Sequence, residues 1–582
     1  MIKNRVQRNK PVRIKRWGIN GEGIGYVNKK PIFLMNALLD EVVEFEIVQE
    51  YDKYYVGKTT KVLQESPRRH HAVCPIWQEC GGCSLMHVDY KGQVRMKEQI
   101  LKEALKKYAD FEGEILPLIK NPEVLAYRNS CKLPFSMVDE KIATGMYARN
   151  SNTFIPLERC YVHSKVLEKV RAEIVEIMNR YDAQSYNKKK VQGFRSLVLK
   201  EMEGKVQVVF VTDLVKMDDR IVQDVMALDE VVSVWQNMKR DQESEVQVFG
   251  KTMKHLAGIE KMDVEINDLT LRLLPRSFFQ LNTRQASQLY DLVKEWTPES
   301  DTIVEAFSGI GAMSLLVADK AKKVIGIESI QDAVDNANEN AQLNHKENVE
   351  FICGDAEAEL KNVCDVQMVD TLIVDPPRTG LSDGMKEMLL ESNVQTIVYV
   401  SCNPSTLAKD LNVLRHKYAV DKVQPFDMFS QTPHVETVVL MHRDETIVIE
   451  EKPVEEPVQE EVKEVKEFKP RRDGDRRPRR DGDRNFDRKP RRDGDRNFDC
   501  KPRRDGDRNF DRKPRRDGDR PRRDQDRKPR RDGDFKKRDF NRKPRRDGDR
   551  NFDRKPRRDG DRNFDRKPRR DGGRNFDHNK TK

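Results

Sequence analysis

Residues 302–328 read TIVEAFSGIGAMSLLVADKAKKVIGIE. An apolar run, Thr302 to Ala306, meets glycines at 309 and 311. A helix-like stretch follows from Ala312 to Ala318, and a second apolar run, Lys323 to Ile327, ends in Glu328. Glycines at a strand-to-helix turn let a ligand approach backbone N–H groups that a Cβ would screen. Working outward, apolar runs recur at Val349 to Cys353, Thr371 to Val374 and Thr396 to Val400, separated by segments rich in Ala, Leu, Asn and Lys. That rhythm predicts an α/β unit with a parallel, doubly wound sheet and ligands at the carboxyl ends of its strands.

Those ends carry polar groups. Glu328 can accept hydrogen bonds from both ribose hydroxyls of a nucleoside, and Asp355, after Ile352-Cys353-Gly354, can receive an adenine amino group. A glycine turn followed by two strand-end acids favours S-adenosylmethionine. A dinucleotide is the alternative, weakened because the loop lacks a full G-x-G-x-x-G. Two further strands run into Asp375-Pro376-Pro377-Arg378 and Ser401-Cys402-Asn403-Pro404. Proline cannot continue a central strand, so each motif turns away at the rim and places Cys402 there. A thiolate can add to C6 of a uracil and make C5 nucleophilic toward a sulfonium methyl; a base must then remove the C5 proton. Glu436, in Gln431-Thr432-Pro433-His434-Val435-Glu436, is the candidate base and His434 its competitor. A buried structural thiol is the alternative for Cys402, as it is the reading for Cys131, Cys353 and Cys364.

The rest of the chain divides in three. Residues 1–66 alternate short apolar stretches (Ile24 to Val27, Pro31 to Leu34, Val42 to Val48, Tyr54 to Val62) with glycine turns, as a small β-barrel does. Residues 67–255 mix strands such as Lys205 to Val211 with helical stretches at Val94 to Lys107 and Ser164 to Tyr181. They hold Cys74, Cys80 and Cys83, spaced C-x₅-C-x₂-C, and the remote Cys160. Four such thiolates match a [4Fe–4S] cluster or Zn²⁺, and spacing alone leaves zinc slightly ahead. Residues 256–445 are the α/β unit. Residues 446–582 pass from an acidic stretch into repeats of the form KPRRDGDRNFDR. With little but one Phe per repeat to bury, this tail is expected to be disordered. It is read as an RNA contact through Arg and Phe, or else as a solubilising segment; Cys500 in it looks like drift.

Of the 582 residues 36 % are charged, concentrated in the tail, and the net charge of +11 favours a polyanionic partner. The basic start lacks an apolar signal region, and no run is long enough to span a bilayer, so a cytoplasmic protein without a membrane partner is expected. In that reducing compartment the nine cysteines point to metal ligation or catalysis before disulfides.

Over residues 10–445 these motifs resemble the bacterial 23S ribosomal RNA (uracil-5-)-methyltransferases of the iron–sulfur type. The resemblance implies a Rossmann-like methyltransferase domain, an iron–sulfur-containing α+β central domain and an OB-like TRAM barrel that binds RNA. It implies a [4Fe–4S] cluster on Cys74, Cys80, Cys83 and Cys160, which moves iron–sulfur ahead of zinc. It further implies S-adenosylmethionine contacts at Gln280, Phe307, Glu328, Asp355 and Asp375, with Cys402 as nucleophile and Glu436 as base. RNA, 23S rRNA first, is the expected partner of a monomer. Transfer-RNA uridine methylation is the rival reading, and a non-catalytic RNA-binding or ribosome-assembly protein the alternative of another class. Three positions depart from the pattern: Ala312 where many relatives have Asn, Lys409 where Arg is usual, and Ser430 where Pro is usual.

Overall fold

The computed structural model describes residues 10–149, 151–190, 192–213, 215–240 and 247–447. The repeat tail and Cys500 lie outside them. Near the amino end, β1 (Val12–Arg13), β2 (Arg16–Trp17), β3 (Gly23–Val27), β4 (Lys30–Met35), β5 (Val42–Glu50) and β6 (Tyr55–Gln64) form one sheet in the order β1-β5-β6-β4-β3-β2. β1 and β2 are halves of one bent segment: Val12 pairs with Val43 on β5, and Arg16 with Ile24 on β3. The two ends of the strand order are thus joined through this segment. Gly25 permits the closure, because a Cβ there would lie 2.6 Å from Val12 Cγ2. Ile14, Ile32, Leu34, Val43 and Phe45 fill the interior. β1 and β2 are too short to show a period of two, and the apolar pattern misses them.

Helix α1 (Tyr90–Ala109) is capped by Asp89, whose Oδ1 accepts from Gly92 N at 2.6 Å. One part of it, Met96 and Ile100, packs on Trp17 of β2 and Leu38 of the β4–β5 connection. Another, Leu101, Ala104 and Leu105, packs with residues of the carboxyl-terminal α/β unit such as Leu407 and Leu411. The helix is therefore a strut between two units of the chain.

The central sheet comprises β7 (Ser130–Val138), β8 (Lys141–Tyr147), β9 (Phe154–Pro156), β10 (Phe194–Met202), β11 (Lys205–Thr212), β12 (Val231–Met238) and β13 (Thr252–Gly258). Its order is β13-β12-β11-β10-β7-β8-β9. Helices α2 (Lys165–Arg180) and α3 (Asp219–Met226) bury Leu167, Ile174 and Ile221 against it. Ser164 caps α2, accepting from Leu167 N at 3.1 Å.

A hairpin, β14 (Met262–Ile266) and β15 (Leu269–Leu273), and helix α4 (Thr283–Trp296) lead into the last sheet. There β16 (Ser300–Ala306), α5 (Ala312–Leu316), β17 (Ala321–Glu328), α6 (Gln331–Leu343), β18 (Val349–Cys353), α7 (Ala356–Val366), β19 (Thr371–Val374), α8 (Asp383–Glu391), β20 (Thr396–Ser401) and α9 (Pro404–Leu414) alternate. A terminal pair, β21 (Tyr418–Phe426) and β22 (Glu436–Arg443), completes the order β18-β17-β16-β19-β20-β22-β21. The first five strands are parallel as expected, while β22 enters antiparallel to β20 and β21. Both faces are buried, with Val304, Ile325 and Leu372 on one and Ile303, Val324 and Ile373 on the other, which explains the unbroken apolar runs. Strand order reverses between β16 and β19, so the ligand crevice of such a sheet lies at their carboxyl ends. Among the described residues, no helix is long and apolar enough to cross a membrane.

Candidate active site

At the carboxyl end of β16 the chain makes a turn that few residues tolerate. Phe307 adopts φ +68°, Gly309 φ +56° and Gly311 φ +83°. Left-handed backbone at an aromatic residue is strain that persists where surroundings enforce it, commonly beside ligands. At Gly311 a Cβ would come within 2.4 Å of the Phe351 ring. Glu328, ending β17, grips this turn: Oε2 accepts from Gly309 N at 3.1 Å, and Oε1 from Ile330 N at 3.0 Å and Ser329 Oγ at 3.1 Å. A carboxylate offers about four acceptor sites, so capacity for a ribose hydroxyl is left. Beside it Ser308 Oγ is buried without a hydrogen-bond partner among the described residues, as expected of a group awaiting a polar ligand. These features fit a nucleoside cofactor.

Asp355 is committed elsewhere in part, since it caps α7 by accepting from Ala358 N at 3.1 Å. Gln280 lies in the loop between β15 and α4, its carbonyl accepting from Asn129 Nδ2 at 2.9 Å. Glu305, inside β16, belongs to no motif of the sequence. It accepts from Ser314 N at 2.6 Å and from the Ser314 hydroxyl, and burial pushes its carboxyl up to about 8.

The second half of the crevice is formed by β19, β20 and β22. Ser401 stands opposite Thr437 in the β20–β22 register, so Cys402 and Glu436, one step beyond, meet at the rim. Asp375 ends the neighbouring strand β19. Burial pushes the Cys402 thiol up to about 11, and the nearby charges of Glu436 and Asp375 add to this; Arg378 opposes it by charge and by a hydrogen bond to the thiol. Glu436 is raised by burial and by Asp375, with Arg378 and Lys97 pulling the other way, and Asp375 is raised by burial. Two carboxyls held above their ordinary range beside a thiol mark a site equipped for proton transfer.

Arg378 is the last residue of the Asp-Pro-Pro-Arg motif. Its carbonyl accepts from Asn403 Nδ2 at 3.0 Å and Thr406 Oγ1 at 3.2 Å, which locks this turn to the Ser-Cys-Asn-Pro turn. Its Nη2 lies 2.8 Å from His434 Nδ1. Burial, Arg378 and Lys97 push His434 down to about 4. As a proton acceptor it is therefore weaker than Glu436. Of the departures, Ser430 donates to Asp427 Oδ2 at 2.6 Å, Ala312 opens α5, and Lys409 Nζ sits 5.6 Å from the Tyr108 ring centre.

The four clustered cysteines come together beside Tyr127 and Phe429. Cys74, Cys83 and Cys160 border one apolar patch with Met86, Tyr127 and Val162. Burial pushes Cys83 up to about 12, and Cys160, Cys80 and Cys74 add to the shift by charge repulsion. All four are free thiols. Among the described residues, no three His, Cys, Asp or Glu side chains converge on one ion-sized point.

A profile of the tRNA (Uracil-5-)-methyltransferase family matches residues 89–444. An uncharacterized RNA methyltransferase of Listeria monocytogenes serotype 4b (strain F2365) is 37 % identical over 444 residues, covering 74 % of this chain and 96 % of the relative. One from Clostridium tetani (strain Massachusetts / E88) is 35 % identical over 434 residues, covering 73 % and 94 %. Among solved structures, the Pyrococcus abyssi tRNA (uracil-54, C5)-methyltransferase in complex with S-adenosyl-L-homocysteine aligns with a TM-score of 0.60 and 28 % identity, covering 74 % of this chain and 99 % of that one.

Proposed function

Since the chain belongs to the tRNA (uracil-5-)-methyltransferase family, we propose that Cys402 and Glu436 are its nucleophile and base, acting on a uridine of 23S ribosomal RNA. The activity itself, methylation of C5 of an RNA uracil from S-adenosylmethionine, comes with the family. The observation that carries the assignment is the meeting of Cys402 and Glu436 at one rim, set by the β20–β22 register.

S-adenosylmethionine supplies a methyl group on a cationic sulfur, whose charge also favours a nearby thiolate. Gln280, Phe307, Glu328, Asp355 and Asp375 form its binding crevice. The Cys402 thiolate bonds to C6 of the uracil, and the C5=C6 electrons move toward C5 and the O4 carbonyl. C5 is then the carbon to which bound S-adenosylmethionine would give its methyl group, the sulfur keeping the electron pair of the broken bond. Glu436 then removes the C5 proton, C5=C6 re-forms, and the Cys402–C6 bond breaks. Arg378 stabilises the thiolate at both ends of this sequence, and the raised affinity of Glu436 for a proton suits the last step.

Cys74, Cys80, Cys83 and Cys160 are assigned to a [4Fe–4S] cluster, for which their number and mutual proximity are the support. Residues 1–66 are assigned as an RNA-binding, TRAM-like barrel. A tRNA uridine is the second reading, favoured by the tRNA substrate in the name of the Pyrococcus abyssi relative. Methyl transfer from labelled cofactor to bulk RNA tests the chemistry: Cys402→Ala should incorporate none, and wild-type incorporation by this variant overturns the nucleophile. Mapping 5-methyluridine in rRNA and tRNA from cells with and without the gene decides the substrate. Anaerobically purified protein should absorb near 400 nm, about where thiolate-bound clusters do, and lose the band in Cys83→Ser. Colourless protein with stoichiometric zinc overturns the cluster.

A further inference from the structure

Helix α1 reaches the catalytic rim from outside the α/β unit and brings one fully buried cation with it. Lys97 and its partner Asp427 both have 0 % side-chain exposure. The ammonium donates to Asp427 Oδ1 and, at 3.0 Å, to Phe429 O. The other oxygen of Asp427 accepts from Tyr90 Oη at 2.9 Å and Ser430 Oγ at 2.6 Å. Gln93, one helical turn before Lys97, receives Gln431 N on its Oε1 at 2.9 Å and donates to Gln431 Oε1 at 3.0 Å. Gln431 itself is held at φ +69°. The segment between β21 and β22, which delivers Glu436, is thus pinned from beneath by three residues of α1.

Such a pair is expensive. Removing two charges from water costs several kcal/mol each, roughly, and a well-packed apolar pair of equal volume is often no less stable. Stability alone does not account for an ammonium placed beneath the segment that leads into Glu436. We propose that Lys97 is a positioning residue for Glu436: paired with Asp427, it fixes the segment that carries the base and supplies positive charge that keeps the carboxylate ready to accept the C5 proton. The inference rests on the reading of Glu436 as base. The groups facing Glu436 are Asp375 from β19, Cys402 from β20, Arg378 from the turn after β19, Tyr290 from α4 and Lys97 from α1. Burial, Asp375 and a Cys402 thiolate disfavour ionisation of Glu436, and among the described residues Arg378 and Lys97 oppose them. Arg378 is engaged with Cys402 and His434; Lys97 acts on Glu436 from α1 while bonded to Asp427 and Phe429, its own proton affinity lowered by burial and supported by the charges of Asp427 and Glu436.

The test follows the base step by itself. Bulk RNA labelled with [5-³H]uridine in cells lacking the gene is given to the full-length protein. Tritium release, which reports C5-proton removal, is compared across pH with the covalent protein–RNA adduct seen on denaturing gels. With Lys97→Met the rising limb of tritium release should move up by about one pH unit, a roughly tenfold loss below the limb, while adduct accumulates. Lys97→Arg should restore the wild-type limb. Should Lys97→Met fail to fold, Lys97→Met/Asp427→Asn removes the unpaired charge and should show the same direction of shift with a smaller size. A folded Lys97 variant with an unmoved limb and no added adduct overturns the proposal. Glu436→Gln is the parallel control: if it releases tritium like wild type, the base assignment fails, whereas trapped adduct there with an unmoved Lys97→Met limb sinks only the role of Lys97.

Discussion

Glu328 and Glu436 stand at the same rim of one sheet and are built in opposite ways. The carboxylate of Glu328 accepts three hydrogen bonds, two of them from backbone N–H groups. Glu436 is 4 % exposed, accepts no hydrogen bond from the described residues, and shares its surroundings with Asp375 and Cys402. The first arrangement holds a group still and leaves its charge solvated by dipoles, which is what docking a cofactor needs. The second leaves a charge short of partners, which raises its appetite for a proton and suits chemistry. The switch point between β16 and β19 separates these two halves.

Matched amide substitutions break this contrast most sharply. Glu436→Gln should cut turnover by roughly 10²- to 10⁴-fold, the range for loss of a general base, with methylated RNA left covalently attached to Cys402. Glu328→Gln should spare the chemical step and weaken cofactor binding by about tenfold, since one amide N–H must now face a donor and a bond worth about 1–2 kcal/mol is lost. Isothermal titration with S-adenosylhomocysteine, beside single-turnover methylation, checks both. Equal effects of the two variants on binding and on rate would remove the distinction.

The same pair should split on stability, in opposite directions. Native Glu436 holds its proton above the unfolded value of about 4.3, so between the two values the native state binds more protons than the unfolded one. Stability then falls as pH rises through that window. Glu436→Gln should therefore raise the melting temperature by a few degrees at pH 8 and change it little near pH 4. Glu328→Gln should lower it at both. Thermal melts of the cofactor-free protein at the two pH values decide the point; a Glu436→Gln variant less stable than wild type at pH 8 contradicts the burial argument.

How much of this was legible beforehand depends on what a local pattern can encode. Buried parallel strands show as short apolar runs, and their ends show as Gly, Pro or an acid, so β16 to β20 and the positions of Cys402, Glu328 and Asp375 could be read directly. Contacts made at long range could not. The period of α1 indicates a buried face but not that it packs on two different units. Arg378 and Lys97 are two basic residues in a chain with 110 of them, and only the folded register brings them to Cys402 and Glu436. Glu305 sits inside an apolar strand, where an acid is conspicuous; the partner that explains it, Ser314, lies nine residues on. The Ser430 departure reads as a lost proline and proves to be a donor to Asp427.

Asp355 lies between the two designs, and the smallest expected effect is found there. Its Oδ1 serves α7 as a cap, while the adenine contact assigned to it would use the carboxylate as an acceptor. Asn caps helices as well as Asp does, whereas Ala loses about 1 kcal/mol. Asp355→Asn should therefore leave the melting temperature within about a degree of wild type, because the cap survives. If the side chain also receives the adenine amino group, cofactor affinity should fall by about two- to fivefold, since the one amide oxygen cannot serve both donors as well as a carboxylate with its roughly four acceptor sites. Asp355→Ala should show the same affinity loss together with a lower melting temperature. Unchanged affinity in both variants would make Asp355 a helix cap and nothing more, and would shift recognition of the adenine end to the Glu328 side of the crevice.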